Sequence, residues 1–221
     1  MVASIITVFN QKGGAGKTTL SMQLAGTLAR RSHKVLVVDS DPQGTATRWS
    51  ASAPQDKAFP AAVNGLSAAG AMVHREVRKF VDDYRFIIID CPPALESAVP
   101  ESALLISDIA LVPIKALPAE LWASVAIRTL IERQQGINDS LQARLVICDL
   151  EERTRLARSI MERLEEFDIP LMKTRMHHRI AYPESMIMGC TVHDLGAAAK
   201  PAIEEMEALT DEVIQVLGQG T

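Results

Sequence analysis

Residues 11–19, with the sequence QKGGAGKTT, have the residue types and spacing that bind phosphate groups, and they follow directly on the apolar run 4–9. Glycines let backbone N–H groups point at an anion with no Cβ in the way. A helix that begins after such a loop adds the positive end of its dipole. Lys17 can reach the terminal phosphates of a nucleotide, and the Thr18 hydroxyl can ligate Mg²⁺. We therefore predict a strand, a phosphate-binding loop and a helix, in that order.

Carboxylates follow two other apolar runs. One run ends in Asp39, with Asp41 two residues later, and another ends in Asp90. In an open parallel sheet, ligands lie beyond the carboxyl ends of the strands. Asp90 is the candidate that holds the Mg²⁺ shell together with Thr18. Asp39 and Asp41 would face one side of a regular strand, where one organises the metal shell and the other orients the attacking water. The alternative is that these acids cap the helices that follow them.

The elements that must position these residues are short apolar runs separated by helical patterns. Apolar runs without alternation indicate strands buried on both faces. These runs are residues 4–9, 35–39, 86–90, 109–114, 144–148 and 169–172. Helical periodicity covers residues 18–31, 118–135, 151–167 and 197–217, and residues 51–71 read as a surface connection with a short strand near 58–63. This alternation predicts one α/β domain over residues 1–221, with a doubly wound, mostly parallel sheet flanked by helices.

Composition limits the classes of function. The hydrophobic content is 48%, no apolar run reaches the ~20 residues of a membrane span, and no signal peptide precedes the loop, so we expect a cytoplasmic protein. The three widely spaced cysteines fit reduced thiols. The net charge of −4 gives no global basic field, so DNA binding would need a local patch. Residues 171–182 offer one, with Lys173, Arg175 and Arg179 and no acid; a solvated basic loop is the alternative.

Three motifs of the chain resemble those of the ParA/MinD family of deviant Walker A ATPases. The first is KGGAGKTT, which departs from the common P-loop because Gln11 replaces its first glycine and Lys12 adds a second lysine. The others are DSDPQG at residues 39–44 and IIIDCPP at residues 87–93. The likeness extends to residues 109–121 and 179–184 and to Gly189. The resemblance implies a deviant P-loop NTPase fold, and in its short length the chain is similar to the small ParA subgroup that includes ParF.

The resemblance also implies the role of each matching residue. Lys12 would reach the ATP of the partner in a sandwich dimer, Lys17 would act on the bound phosphates, and Asp41 would orient the hydrolytic water. Thr18, Asp39 and Asp90 would surround Mg²⁺. The residues implied to contact the nucleotide are Gly13, Gly14, Ala15, Gly16, Lys17, Thr18, Thr19, Arg179 and Glu184.

The function that the resemblance implies is an ATPase switch with weak intrinsic activity. ATP would drive a homodimer, the dimer would bind nucleoid DNA nonspecifically, and a ParB-like or adaptor protein would stimulate hydrolysis. The cargo would be a plasmid or chromosome, or alternatively a protein assembly such as a carboxysome or chemoreceptor cluster. We expect Lys173, Arg175 and Arg179 to contact DNA, with Lys200 as a weaker candidate.

Three other functions compete with this interpretation. A MinD-like membrane switch needs a basic amphipathic C-terminal helix, and residues 210–221 are acidic with no lysine or arginine, so we expect no membrane partner. An iron–sulfur relative needs paired cysteines, and no second cysteine lies near Cys91. A metabolic P-loop synthetase is disfavoured by Lys12 and by the Asp-Pro-Gln-Gly run.

Overall fold

A six-stranded parallel sheet forms the centre of the protein. The computed structural model describes residues 2–93, 97–151, 159–160, 162–164 and 168–218, with the backbone alone for 119–124. The strands are β1 (Ser4–Val8), β2 (Val35–Asp39), β3 (Ala62–Gly65), β4 (Phe86–Asp90), β5 (Ile109–Ile114) and β6 (Gln142–Ile147). Their order is β3-β2-β4-β1-β5-β6 and every pair is parallel, which confirms the predicted α/β class.

Strand register places the predicted site at one edge of the sheet. Val8 is the register partner of Asp90 in the β1–β4 pair, and Asp39 is the partner of Asp90 in the β2–β4 pair. The loop after β1 therefore begins beside Asp90 and is separated from Asp39 by one strand. All residues of β1, β2 and β4 are buried, which explains why the sequence shows no alternation in these runs.

Helices cover both faces of the sheet. Those whose bounds lie within the described residues are α1 (Lys17–Arg30), α2 (Thr45–Ala51), α3 (Val73–Val77), α4 (Ala98–Leu104), α5 (Pro118–Gln135), α6 (Ala181–Ile187) and α7 (Lys200–Val216). Short 3₁₀ helices occupy Ser67–Met72, Arg78–Phe80, Val192–Asp194 and Ala197–Ala199. Successive side chains of a strand point to opposite faces, so Ile5 joins the core beneath α3 and α4, whereas Ile6 joins the core beneath α1 and α7.

Some predicted elements differ from the observed ones. Residues 169–172 are not a strand of the sheet, because only Leu171 forms an isolated bridge, to Leu145. Pro170 has no N–H to donate and contributes only its carbonyl oxygen, to Leu145 N at 2.9 Å. The strand expected near 58–63 lies at Ala62–Gly65, beyond Pro60. The helix predicted over 197–217 begins as a 3₁₀ turn and becomes α-helical only at Lys200. The helix predicted over 151–167 lies largely outside the described residues.

No helix in the described part of the chain combines the length and the apolar character that crossing a bilayer requires.

Candidate nucleotide site

The loop between β1 and α1 has the backbone conformation that a phosphate cradle needs. Gly14 and Gly16 have φ angles of 72° and 97°, in the left-handed region where a Cβ is strained. Gly16 is the N-cap of α1 and no side chain caps that end of the helix. The first turn of α1 also has no acidic residue. The N–H groups at this helix end are therefore available to an anion, which fits a phosphate.

Lys17 points into this loop. Its side chain is nearly buried, and its ammonium donates to the backbone oxygen of Lys12 at 2.9 Å. Burial lowers the pKa of Lys17, while the negative charges of Asp90 and Asp41 oppose that shift. A phosphate oxygen in the loop would offer this ammonium a charged acceptor in place of a neutral carbonyl. The environment of Lys17 therefore fits the predicted contact with phosphate.

Asp90 lies beside the start of α1 with its carboxylate fully buried. One oxygen accepts from the Thr18 hydroxyl at 2.7 Å and the other from the Ser21 hydroxyl at 3.1 Å. Burial, with a further contribution from Asp39, raises the pKa of Asp90 to about 7. A hydroxyl and a carboxylate in contact are oxygen donors of the kind that Mg²⁺ takes. A bound divalent cation would supply the positive charge that stabilises the ionised form of the buried Asp90 carboxylate. The structure thus brings Thr18 and Asp90 together as predicted.

Asp39 and Asp41 do not share one side of a strand, because β2 ends at Asp39. Asp39 is 1% exposed, and its Oδ2 accepts both the backbone N–H and the hydroxyl of Thr47, each at 2.8 Å. It therefore caps the first turn of α2, which is the alternative that the sequence left open. Asp41 is partly exposed, and its Oδ1 accepts from Gln43 N at 2.8 Å. Their roles at the metal and the water remain predictions.

A cavity of about 300 Å³ opens beside the loop, and most of the surface that lines it is apolar. One side is formed by Gly14, Gly16 and Thr19, and the other by the chain that follows β6. The lining residues of that second side include Cys148, Asp149, Met176, His177, His178, Arg179, Ile180, Tyr182, Pro183 and Met186. Its size and apolar lining suit a nucleobase next to the phosphate cradle. Arg179 lines the cavity as predicted, whereas Glu184 is exposed on α6 and does not line it.

Three polar residues at the cavity were absent from the predicted site. Asp149 has a φ of 57° just after β6, and its two oxygens accept from Lys115 Nζ at 2.7 Å and pair with His178 Nδ1 at 2.6 Å. The hydrogen bond with Asp149 raises the pKa of His178. Lys115 and Asp149 each follow a strand at the carboxyl edge of the sheet. The rule that ligands lie at that edge was therefore a signal that could have found them.

The basic segment 171–182 lies against acids from elsewhere in the chain. Glu212 of α7 accepts from the backbone N–H groups of Lys173 at 2.7 Å and Thr174 at 3.0 Å. The Arg179 guanidinium pairs with Glu205 of the same helix at 2.5 Å. The segment itself contains no acid, but these two glutamates offset part of its positive charge, so it is less basic than its sequence suggests. The Lys173 side chain is exposed, Arg175 is partly exposed, and DNA binding by this segment remains a prediction.

All three cysteines are buried and none forms a disulfide. Burial raises the pKa of Cys148 to about 12, and it also raises the pKa values of Cys91 and Cys190. Cys148 packs behind the phosphate loop, where a Cβ on Gly16 would lie 3.4 Å from its Cβ. This packing supports interpretation of the cysteines as small core residues.

The model of the CobQ/CobB/MinD/ParA nucleotide binding domain family matches residues 6–206. The chain belongs to this family. It is 31% identical over 212 residues to the maintenance of carboxysome distribution protein A of Halothiobacillus neapolitanus, covering 96% of this chain and 97% of that one. It is 29% identical over 207 residues to the sporulation initiation inhibitor protein Soj of Bacillus subtilis, covering 75% and 80%.

Solved structures of other proteins have the same fold. The ATP complex of a McdA variant of Cyanothece is similar with a TM-score of 0.75 and 17% identity, covering 99% of this chain and 98% of that one. Cobyrinic acid a,c-diamide synthase of Mycobacterium smegmatis with ADP and magnesium is similar with a TM-score of 0.68 and 21% identity, covering 85% and 91%. The predicted cofactors of the site, ATP and Mg²⁺, agree with the nucleotide-binding family of the chain and with the ligands bound in these two structures.

Proposed function

We propose that the chain is an ATP-hydrolysing switch of the ParA type, which dimerises on ATP and positions a large cargo. The observation behind this proposal is the pair of lysines in the phosphate loop. Lys17 lies inside the loop, whereas Lys12 lies at its mouth with a partly exposed side chain. One cation would thus serve the protomer's own nucleotide and the other a neighbouring one.

The residues divide the work of phosphoryl transfer between them. Thr18 and Asp90 would hold Mg²⁺, which would neutralise phosphate charge. The backbone N–H groups of the loop and Lys17 bind the phosphates, and Asp41, two residues beyond β2, orients the attacking water. Lys12 of the second protomer stabilises the negative charge that spreads over the terminal phosphoryl oxygens. Hydrolysis would then depend on dimerisation.

The switch is tested by three alanine variants, with mass determined by light scattering in Mg²⁺ and a non-hydrolysable ATP analogue. We expect the unaltered protein to dimerise, Lys17→Ala to bind no analogue, and Lys12→Ala to bind it with loss of the dimer and of hydrolysis. Lys34→Ala is the matched control, because Lys34 immediately precedes β2 at the opposite edge of the sheet. A protein that stays monomeric with bound analogue, and whose hydrolysis is unaffected by Lys12→Ala, would refute the proposal.

For the cargo we propose a large protein assembly, which a partner adaptor protein would link to the switch. The support is a relative that is 31% identical along nearly the whole of both chains and is named for carboxysome distribution. Partition of a plasmid or chromosome is the second candidate, supported by similarity to a chromosome partitioning protein ParA of Myxococcus xanthus. Deletion of the gene in its host separates them. If the deletion strain shows clustered protein assemblies but inherits its plasmids and chromosome normally, the first candidate is supported. If its daughter cells lose plasmid or chromosomal DNA, the second is supported.

We also propose that nonspecific DNA is the track on which the ATP-bound dimer moves, with contacts from Lys173, Arg175 and Arg179. Phosphate contacts would give a logarithmic salt slope of about −0.9 per contact. Because Arg179 is paired with Glu205, Lys173→Ala should reduce DNA affinity more than Arg179→Ala. DNA affinity and salt slope that are unchanged when all three residues are replaced by alanine would show that this surface is not the contact.

A further inference from the structure

The wall of the cavity opposite the phosphate loop has little regular structure of its own. Between β6 and α6, the described chain around residues 168–180 forms isolated bridges but no strand. It nevertheless contributes Met176, His177 and Arg179 to the cavity lining, and Tyr182 follows at the start of α6. Backbone hydrogen bonds tie this segment to the chain at the end of β6, from Met176 N to Ile147 O at 2.9 Å and from His178 N to Leu150 O at 3.0 Å. The side chains that face the cavity need further contacts from neighbouring elements.

Glu205 of α7 makes those contacts. Its side chain is 10% exposed, and one oxygen accepts from Arg179 Nε at 2.7 Å and pairs with His177 Nδ1 at 2.7 Å. The other oxygen accepts from the Tyr182 hydroxyl at 2.8 Å and from His177 N at 3.3 Å. A single, largely buried carboxylate is thereby bonded to three residues that line the cavity.

The charge of Glu205 also affects the titration of its partners. The hydrogen bond from Arg179 to Glu205 raises the pKa of the guanidinium, and burial together with Glu205 raises the pKa of the Tyr182 phenol. Glu212 lies seven residues further along α7 and accepts from the backbone of the same segment. Residues seven apart lie on one face of a helix, so one face of α7 contacts this segment at two places.

We infer that Glu205 is a positioning residue for nucleotide binding: it holds the His177–Arg179–Tyr182 wall against the cavity, so that ATP affinity depends on α7. This inference rests on the proposed function, in that the cavity takes the nucleoside part of ATP. Without Glu205 the wall would have to be ordered when the nucleotide binds, and that cost would appear as lost affinity. The phosphate loop lies on the other side of the cavity and does not contact Glu205.

Two ligands distinguish this role from a general contribution to stability. ATP occupies both the loop and the cavity, whereas inorganic tripolyphosphate can occupy the loop alone. Loss of the wall should therefore weaken ATP and leave tripolyphosphate unaffected. A variant that merely loosened the fold would weaken both ligands alike.

The experiment measures the affinity of each ligand in Mg²⁺ by isothermal titration calorimetry for Glu205→Gln and for the control Glu204→Gln. Glu204 has the same charge on the same helix, but its side chain is 65% exposed and its pair with Lys200 is 3.8 Å long. We expect Glu205→Gln to reduce ATP affinity on the order of tenfold, as loss of hydrogen bonds to a charged group implies. Its tripolyphosphate affinity, and both affinities of Glu204→Gln, should stay within about twofold of the unaltered protein.

Equal ATP affinity in Glu205→Gln and the unaltered protein, or equal losses for ATP and tripolyphosphate, would overturn the inference. If Glu205→Gln does not fold, Tyr182→Phe replaces it, because this variant removes one donor to Glu205 and retains the ring. We then expect the affinity for ATP to fall about threefold and the affinity for tripolyphosphate to stay the same. An unchanged ATP affinity would again overturn the inference. An unaltered protein that binds tripolyphosphate but no ATP would instead count against the proposed function.

Discussion

The contact between Asp39 and Thr47 allows a quantitative prediction about α2. Two hydrogen bonds to a buried carboxylate oxygen join the end of β2 to the first turn of that helix. Hydrogen bonds to charged groups contribute about 1.5 kcal/mol each to stability at the lower end of their range. Asp39→Ala would therefore lower the free energy of unfolding by about 3 kcal/mol. Removal of Asp39 also relieves its repulsion of Asp90, which reduces the expected cost to about 2–3 kcal/mol.

Thr47→Val removes only the hydroxyl bond and keeps the backbone one, so we expect it to cost about 1.5 kcal/mol. In the Asp39→Ala background the same change should cost much less, because its acceptor is already gone. A double-mutant cycle should therefore give a coupling of about 1–1.5 kcal/mol.

Urea unfolding of the nucleotide-free protein provides the measurement. Trp49 is buried within α2, and its Nε1 donates to the oxygen of Cys190 at 3.0 Å, so its fluorescence reports on this helix. Ser50→Ala is a suitable control, because Ser50 lies on the same helix and its hydroxyl donates to the Thr47 carbonyl within that helix. A loss below about 0.5 kcal/mol for Asp39→Ala, or a cycle with no coupling, would refute the capping role.

Three further predictions concern other parts of the structure. Gly189 has a φ of 64°, and Gly189→Ala would place a Cβ 2.1 Å from the backbone nitrogen of Ala53. We therefore expect the free energy of unfolding to fall by about 3 kcal/mol or more and the melting temperature to fall by roughly 6–12 °C; a change under about 2 °C would contradict this. Burial alone would raise the pKa of Asp194, but hydrogen bonds from Lys57, Arg30 and Thr191 outweigh it and hold the pKa well below its usual value. The stability from Asp194 is therefore present above pH ~4 and is lost as the pH falls through the folded pKa, so the cost of Asp194→Asn in urea unfolding should shrink as pH falls from 6 toward 2; a pH-independent cost would disprove the linkage. Thr18→Ala should leave ATP binding measurable in the absence of Mg²⁺. The increase in ATP affinity on addition of Mg²⁺ should be smaller than in the unaltered protein by on the order of tenfold, and an equal increase would rule out Thr18 as a ligand.

The phosphate loop was the part of the site that the sequence predicted best, because its conformation depends on local residue types. Glycines at positions 14 and 16 permit the left-handed φ angles observed there, and the strand and helix on either side follow from local periodicity. Asp90 was also predictable, since a carboxylate after a fully buried strand must lie at the carboxyl edge of a parallel sheet. The prediction of a strand at 169–172 was wrong, because hydrophobicity alone does not show whether a run can form a continuous series of hydrogen bonds with the edge strand β6.

The sequence by itself therefore determined the fold class, the order of the central elements and the position of the phosphate loop, because each follows from residues close together in the chain. Only the tertiary structure decided that Asp39 caps α2, that Glu205 and Glu212 lie against the basic segment, and that residues from two ends of the chain form one cavity. The physical reason is that the charge and hydrogen-bond partners of a side chain depend on which distant element packs against it, and short-range sequence patterns do not encode that choice.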